Sequence, residues 1–208
     1  MSGKNVIPMI RKRNVFVVGR NYQVETMFSI QKDKANNYYY DILSTPEPKV
    51  PDLIVFTGGP DVHPKYYNEK LLAETSFNKD RDNLDEFFWN KFPDTPKVGI
   101  CRGGQFLNVM SGGAMFQDVN NHGRDHTIRN LLNIEGKFHM NTISVTSTHH
   151  QMMIPGPEGT VVAIAVHEAE DRGLATEYLS SVAREKPRFD TEVVWYPKTL
   201  SLCYQPHP

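Results

Sequence analysis

The chain has 208 residues and a formal charge of −1, with 23 basic against 24 acidic side chains. That length suits one domain with a substantial core, and near-neutrality removes the electrostatic reason to expect nucleic acid or an acidic membrane as partner. No apolar run approaches the ~20 residues that span a bilayer. The polar, basic start has no apolar signal core behind it, and two cysteines make no disulfide framework, so a reduced, cytoplasmic protein is expected.

In chain order, Asn14 to Gly19 (NVFVVG) is a β-branched run ending in glycine, which reads as a buried strand. Val24, Met27, Phe28 and Ile30 recur at roughly helical spacing over Tyr22 to Gln31. Asp52 to Thr57 (DLIVFT) is a second buried strand, broken by Gly58-Gly59-Pro60. Asp80 to Phe92 carries early acids and then Leu84, Phe87, Phe88 and Phe92, the pattern of an amphipathic helix with a favourable start. Lys97 to Cys101 is a third strand, followed directly by a helix over Gly103 to Met110. This alternation predicts a largely parallel sheet flanked by helices. The second half is β-rich: Asn141 to Thr148, Thr160 to Val166, and a hairpin made of Thr191 to Tyr196 and Leu200 to Tyr204 around Pro197-Lys198-Thr199. Val182 to Asp190 reads as a solvated loop or insertion. No repeat or linker forces a second domain, so residues 1–208 are expected to form one.

Gly99-Ile100-Cys101-Arg102-Gly103 has the form small-x-nucleophile-x-small between a strand and a helix. A sharp turn there would leave no room for side chains two positions away, hence the glycines. It would also set the sulfur near the first free amides of the helix, which favour thiolate. A buried core cysteine beside a glycine-rich bend is the competing reading. The general base a nucleophile needs is offered by His207 in YQPHP or by His149-His150 in STHHQ, each just after a strand. The strand-ending glycines of FTGGPD could expose amides for a developing oxyanion, although the same residues also suit a plain turn. His63, His122, His126, His139 and His167 read as surface or hydrogen-bonded residues. A metal site using His122, His126 and the His149-His150 pair is disfavoured, because Gly123 argues against a shared helix face and no cysteine pair supports zinc. Cys203 reads as a small core residue.

Together, TGGPDVHPKYY (57–67), RD (81–82), GICRGGQFLNVMSGGAMFQD (99–118), HHQ (149–151) and QPHP (205–208) resemble the class I glutamine amidotransferases, and especially their γ-glutamyl hydrolase branch. The resemblance implies a flavodoxin-like α/β fold with an antiparallel C-terminal part. It further implies that Cys101 attacks a γ-glutamyl carbonyl with His207 as base, that the amides of Gly59 and Arg102 bind the oxyanion, and that Gly58, Gln105, His149, His150 and Gln151 contact the substrate. The product thioester would be hydrolysed by water, with no metal or cofactor. Partners would be glutamine or a γ-glutamyl small molecule, and a separate ATP-dependent synthetase if the ammonia is passed on. The family's third catalytic residue is a glutamate two positions after the histidine. The sequence stops at Pro208, so weak activity, restored by adding that glutamate, is expected; a non-catalytic binding or assembly role is the alternative. Asp171 to Leu179 also departs from the hydrolase pattern, with Glu177 in the nearest acidic position.

Overall fold

The computed structural model describes residues 13–19, 35–40, 49–120, 122–131, 142–166, 177–185 and 187–207. The expected helix at Tyr22 to Gln31, His139 and His167 lie outside these residues, as does most of the Asp171 to Leu179 segment.

Among the described residues, nine strands form one mixed sheet. They are β1 (Arg13–Val18), β2 (Ala35–Tyr40), β3 (Leu53–Phe56), β4 (Lys97–Ile100), β7 (His126–Asn130), β8 (Thr142–Val145), β10 (Thr160–Val166), β12 (Thr191–Tyr196) and β13 (Ser201–Tyr204). Their order is β2-β1-β3-β4-β13-β12-β10-β7-β8. The block from β2 to β13 is parallel, and every pairing from β13 to β8 is antiparallel. The fold is therefore α/β as expected, but parallel pairing covers only the first half of the sheet. Two small antiparallel pairs join β5 (Ala114–Phe116) to β9 (Met152–Ile154) and β6 (Asp118–Val119) to β11 (Tyr178–Leu179).

Side-chain alternation sorts β1 onto two faces. Phe16 and Val18 enter the main core with Ile54, Phe56, Phe88, Phe106, Val194 and Cys203, whereas Val15 and Val17 join Val55, Ile100 and Cys101 in a second cluster. Helix α1 (Lys79–Lys91) supplies Phe88 to the main core; it starts at Asn78, whose side chain accepts from the Arg81 amide. Helix α2 (Arg102–Met110) buries Phe106, Leu107 and Val109 against the same face. Cys203 is thus a core residue. The hairpin is present, with Tyr196 opposite Ser201. The segment expected to be solvated is tied down at both ends. Arg184 pairs with the buried Glu69 carboxylate at 2.7 Å, and Asp190 is buried. No helix among the described residues is long and apolar enough to cross a membrane.

Candidate active site

Three chain segments that leave parallel strands at their carboxyl ends, the position where open α/β sheets place ligands, build the site together with the segment between β8 and β9. The segment after β3 brings Gly59 and Asp61, the one after β4 brings Cys101, and the one after β13 brings His207. Cys101 has φ 51° and ψ −115°, a backbone conformation costly for a residue with a Cβ. Two close approaches enforce the bend. A Cβ on Gly99 would lie 2.2 Å from the Gly103 carbonyl oxygen, and one on Gly103 would lie 2.1 Å from the Phe56 carbonyl oxygen. Both obstacles are backbone, so neither can move aside alone.

Buried ion pairs lock the two loops together. Arg81 donates to the carbonyls of Thr57 (2.8 Å), Gly58 (3.1 Å) and Val18 (3.2 Å), and its Nε pairs with Asp85 at 3.0 Å. Arg102 donates from Nε to the Pro60 carbonyl at 3.0 Å and pairs with both Asp82 and Asp85. The RD pair at 81–82 therefore works as scaffold. Two guanidinium groups, two carboxylates and several carbonyls satisfy one another out of water, which a buried charge requires.

A cavity of about 190 Å³ is lined by Gly59, Asp61, Cys101, Arg102, Gln105, Thr148, His149, His150, Gln151 and His207. Every site residue expected from sequence lies on it except Gly58, whose carbonyl is occupied by Arg81. Asp61 and Thr148 were not anticipated. Burial dominates at Cys101 and, with Asp61 and Glu192 nearby, pushes the thiol up to about 11 against the opposing pull of the Arg102 amide. The expected thiolate-favouring effect of the helix start is thus outweighed, and the resting group is a thiol. Burial and the neighbouring His149 hold His207 below the ordinary histidine range, so its ring is neutral at pH 7. Its backbone pairs with Thr146, and its Nε2 lies 3.1 Å from the Thr148 hydroxyl.

His150 lies between two acids, with Nε2 3.2 Å from Asp61 and Nδ1 3.0 Å from Asp118. Its hydrogen bond to Asp61, then that to Asp118, outweighs burial and raises it to about 9, so it is an imidazolium. Gln105 turns its amide NH2 toward Gln205 Oε1 (3.3 Å) and the Gln151 carbonyl (3.4 Å). Gln151 donates behind the cavity to Thr75 and to the Gln117 carbonyl.

Behind the cavity, His122, His126 and His149 surround the buried Glu192 carboxylate, their nearest ring nitrogens 3.3, 3.2 and 3.7 Å from its Oε1. The histidines meet without a shared helix: β7 begins at His126, and His149 belongs to the loop before β9. Sequence reasoning missed Glu192. Its signal is phase, since Glu192 alternates with the core residues Val194 and Tyr196 along β12.

Residues 10–178 match the model of the Peptidase C26 family. This chain belongs to that family, one of glutamine amidotransferase-like proteins. It is 34% identical over 107 residues to a glutamine amidotransferase-like protein of Rickettsia prowazekii, half of this chain but only 37% of that protein, so it spans little more than a third of this relative's length. Identity to a glutamine amidotransferase-like protein of Lactococcus lactis is 29% over 169 residues, covering 68% of this chain and 71% of that one. Among solved structures, a Thermotoga maritima glutamine amidotransferase superposes with a TM-score of 0.61 over 95% of this chain and 76% of that one, at 14% identity.

Proposed function

We propose that the chain hydrolyses the γ-amide of glutamine or of a γ-glutamyl conjugate through a covalent Cys101 thioester. The observation carrying this reading is the strained Cys101 turn opening onto a cavity shared with His207. A neutral imidazole and a protonated thiol lining one cavity are suited to general-base activation once substrate draws them together.

The reaction then runs in two steps. Cys101 passes its proton to His207 as the sulfur attacks the γ-carbonyl carbon, and the carbonyl oxygen becomes an oxyanion held by the amides of Gly59 and Arg102. Collapse of the tetrahedral intermediate breaks the C–N bond; the His207 imidazolium gives its proton to the departing nitrogen, releasing ammonia or an amine. Water, deprotonated by the same imidazole, attacks the thioester, and glutamate leaves as the thiol is re-formed. At the cavity mouth the His150 imidazolium suits the substrate's α-carboxylate, and Asp61 suits its α-ammonium. Gln105 and Gln151 flank the glutamyl chain. The released amine identifies the physiological role: a self-standing hydrolase prefers a γ-glutamyl amine, whereas an ammonia donor prefers glutamine and is stimulated by a separate ATP-dependent synthetase.

The test is glutamate release from glutamine and from γ-glutamyl amines, measured on the 208-residue chain and on a version extended by one glutamate. Turnover that disappears in Cys101→Ser and survives in Cys203→Ser supports the reading. No turnover in either form, or turnover that survives Cys101→Ser, overturns it.

A further inference from the structure

The histidine cluster around Glu192 touches the proposed hydrolysis through His149, which lines the cavity, and through the influence of His149 and Glu192 on His207 and Cys101, but its bonding pattern has a separate meaning. Each imidazole has an outward nitrogen facing an oxygen. His122 Nε2 lies 2.8 Å from Asp190, His126 Nδ1 lies 3.1 Å from the Arg124 carbonyl, and His149 Nδ1 lies 2.9 Å from the Gln151 carbonyl. Two of those acceptors are carbonyls and the third is a carboxylate, so the outward nitrogen carries the proton in each ring. In a neutral ring the inward nitrogen is then a bare lone pair. All three inward nitrogens face the same oxygen of a carboxylate that is 0% exposed. The inward nitrogens of His126 and His149 and both Glu192 oxygens make no aligned hydrogen bond. Lone pairs converging on a buried anion repel one another unless a cation lies among them.

We infer that His122, His149 and Glu192 form a binding site for a divalent first-row transition ion, zinc being the best match. Their ligand atoms lie within 4.8 Å of one another. Zinc–nitrogen and zinc–oxygen bonds of about 2.0–2.1 Å place neighbouring ligand atoms of a tetrahedron about 3.3 Å apart. His122 and His149 lie 3.3 and 3.7 Å from Glu192 Oε1, close to that edge. The outward hydrogen bonds are the supporting shell that metal-bound histidines use to fix tautomer and orientation, with Asp190 as the carboxylate behind His122. Charge also balances: one dication against Glu192 and Asp190 is neutral. Two imidazolium rings would balance the same two carboxylates, so the ion displaces protons from the site, and its binding weakens as pH falls. His149 also lines the cavity, which gives the ion a route in. The ion ties β12 and the segment before β7 to the loop carrying His149 and His150, with water in the fourth position of the tetrahedron.

The site is independent of the hydrolase reading and is tested without an activity assay. Metal-stripped protein in a Cys101→Ala background, which removes the cavity thiol as a ligand, is titrated with zinc against a chromophoric chelator. One equivalent should bind with sub-micromolar affinity. Asp190→Asn should weaken it about 10–100-fold, and Glu192→Gln and His149→Gln should weaken it further. X-ray absorption on the zinc-loaded Cys101→Ala protein, which needs no destabilising variant, should show nitrogen and oxygen ligands at about 2.0–2.1 Å and no sulfur. Absence of stoichiometric binding by the folded protein, a sulfur-containing shell, or affinity unchanged in a folded Glu192→Gln variant would overturn the proposal.

Discussion

Asp85 does not line the cavity, yet its replacement should damage both stability and catalysis. Its carboxylate is fully buried in α1 and accepts from Arg81 Nε at 3.0 Å and from Arg102. In Asp85→Ala, Arg102 retains only Asp82 as a carboxylate partner, and Arg81 retains only neutral carbonyl and hydroxyl oxygens. Removing one partner from such a buried network costs about 3–5 kcal/mol. At about 2–4 °C per kcal/mol for a chain of this size, the melting temperature should fall by about 6–20 °C. The same two arginines hold the carbonyls of Thr57, Gly58 and Pro60, and so fix the Gly59 amide. Displacement by an ångström should lower kcat about 10²-fold. Urea and thermal unfolding, with glutamate release, measure both. Asp85→Asn should fall between wild type and Asp85→Ala. Asp80→Ala, exposed in the first turn of the same helix, should cost less than about 1 kcal/mol. An Asp85→Ala variant as stable as Asp80→Ala, or with wild-type kcat, would refute the reasoning.

Three more outcomes follow from the same geometry. Gly103→Ala sets a Cβ 2.1 Å from the Phe56 carbonyl oxygen and should destabilise by about 1–3 kcal/mol or more, whereas Gly123→Ala, with nothing within 4 Å, should lie within about 0.5 kcal/mol of wild type in urea melts. The acid limb of kcat/KM should lie below pH 6.5, because His207 stays neutral to a lower pH than an ordinary histidine, and a limb above pH 7 would contradict its role as base. His150 is raised from 6.5 to about 9, so its contribution to stability is complete below 6.5 and is lost as pH rises toward 9. The stability difference between wild type and His150→Gln should therefore shrink across that interval, and a constant difference would contradict the Asp61–His150–Asp118 clamp.

What the sequence reveals depends on how one-sided each element's environment is. β1, β3 and α2 bury apolar side chains in regular phase, and their residues announce it; α1 instead buries Arg81, Asp82 and Asp85 beside Phe88 and leaves Phe87 exposed, so its inner face is not the apolar one expected from spacing. β2 (ANNYYY) lies at the sheet edge, and its two asparagines and lack of aliphatic residues mask the strand tendency of its tyrosines. β7 (HTIRN) is hidden because the residue it turns toward Glu192 is a histidine, not an aliphatic. The glycine spacing around Cys101 made the sharp turn readable, since only backbone crowding demands it. The thiol's protonation state was not readable: desolvation depends on Asp61 and Glu192, which come from distant parts of the chain. Asp85, Asp190 and Glu192 escaped notice for a shared reason. A buried acid is recognised by the cation or imidazole it meets, and such partners are fixed by tertiary contacts.

The central claim is that Cys101 is the nucleophile of this cavity, and mapping the site of covalent attack tests it most directly. Protein treated with a glutamine-mimicking diazo-ketone, digested and analysed by mass spectrometry should carry one adduct, on the Cys101 peptide. Excess glutamine should suppress it, and His207→Asn should slow it. An adduct distributed equally between Cys101 and Cys203, or no adduct on a folded protein, would contradict the account.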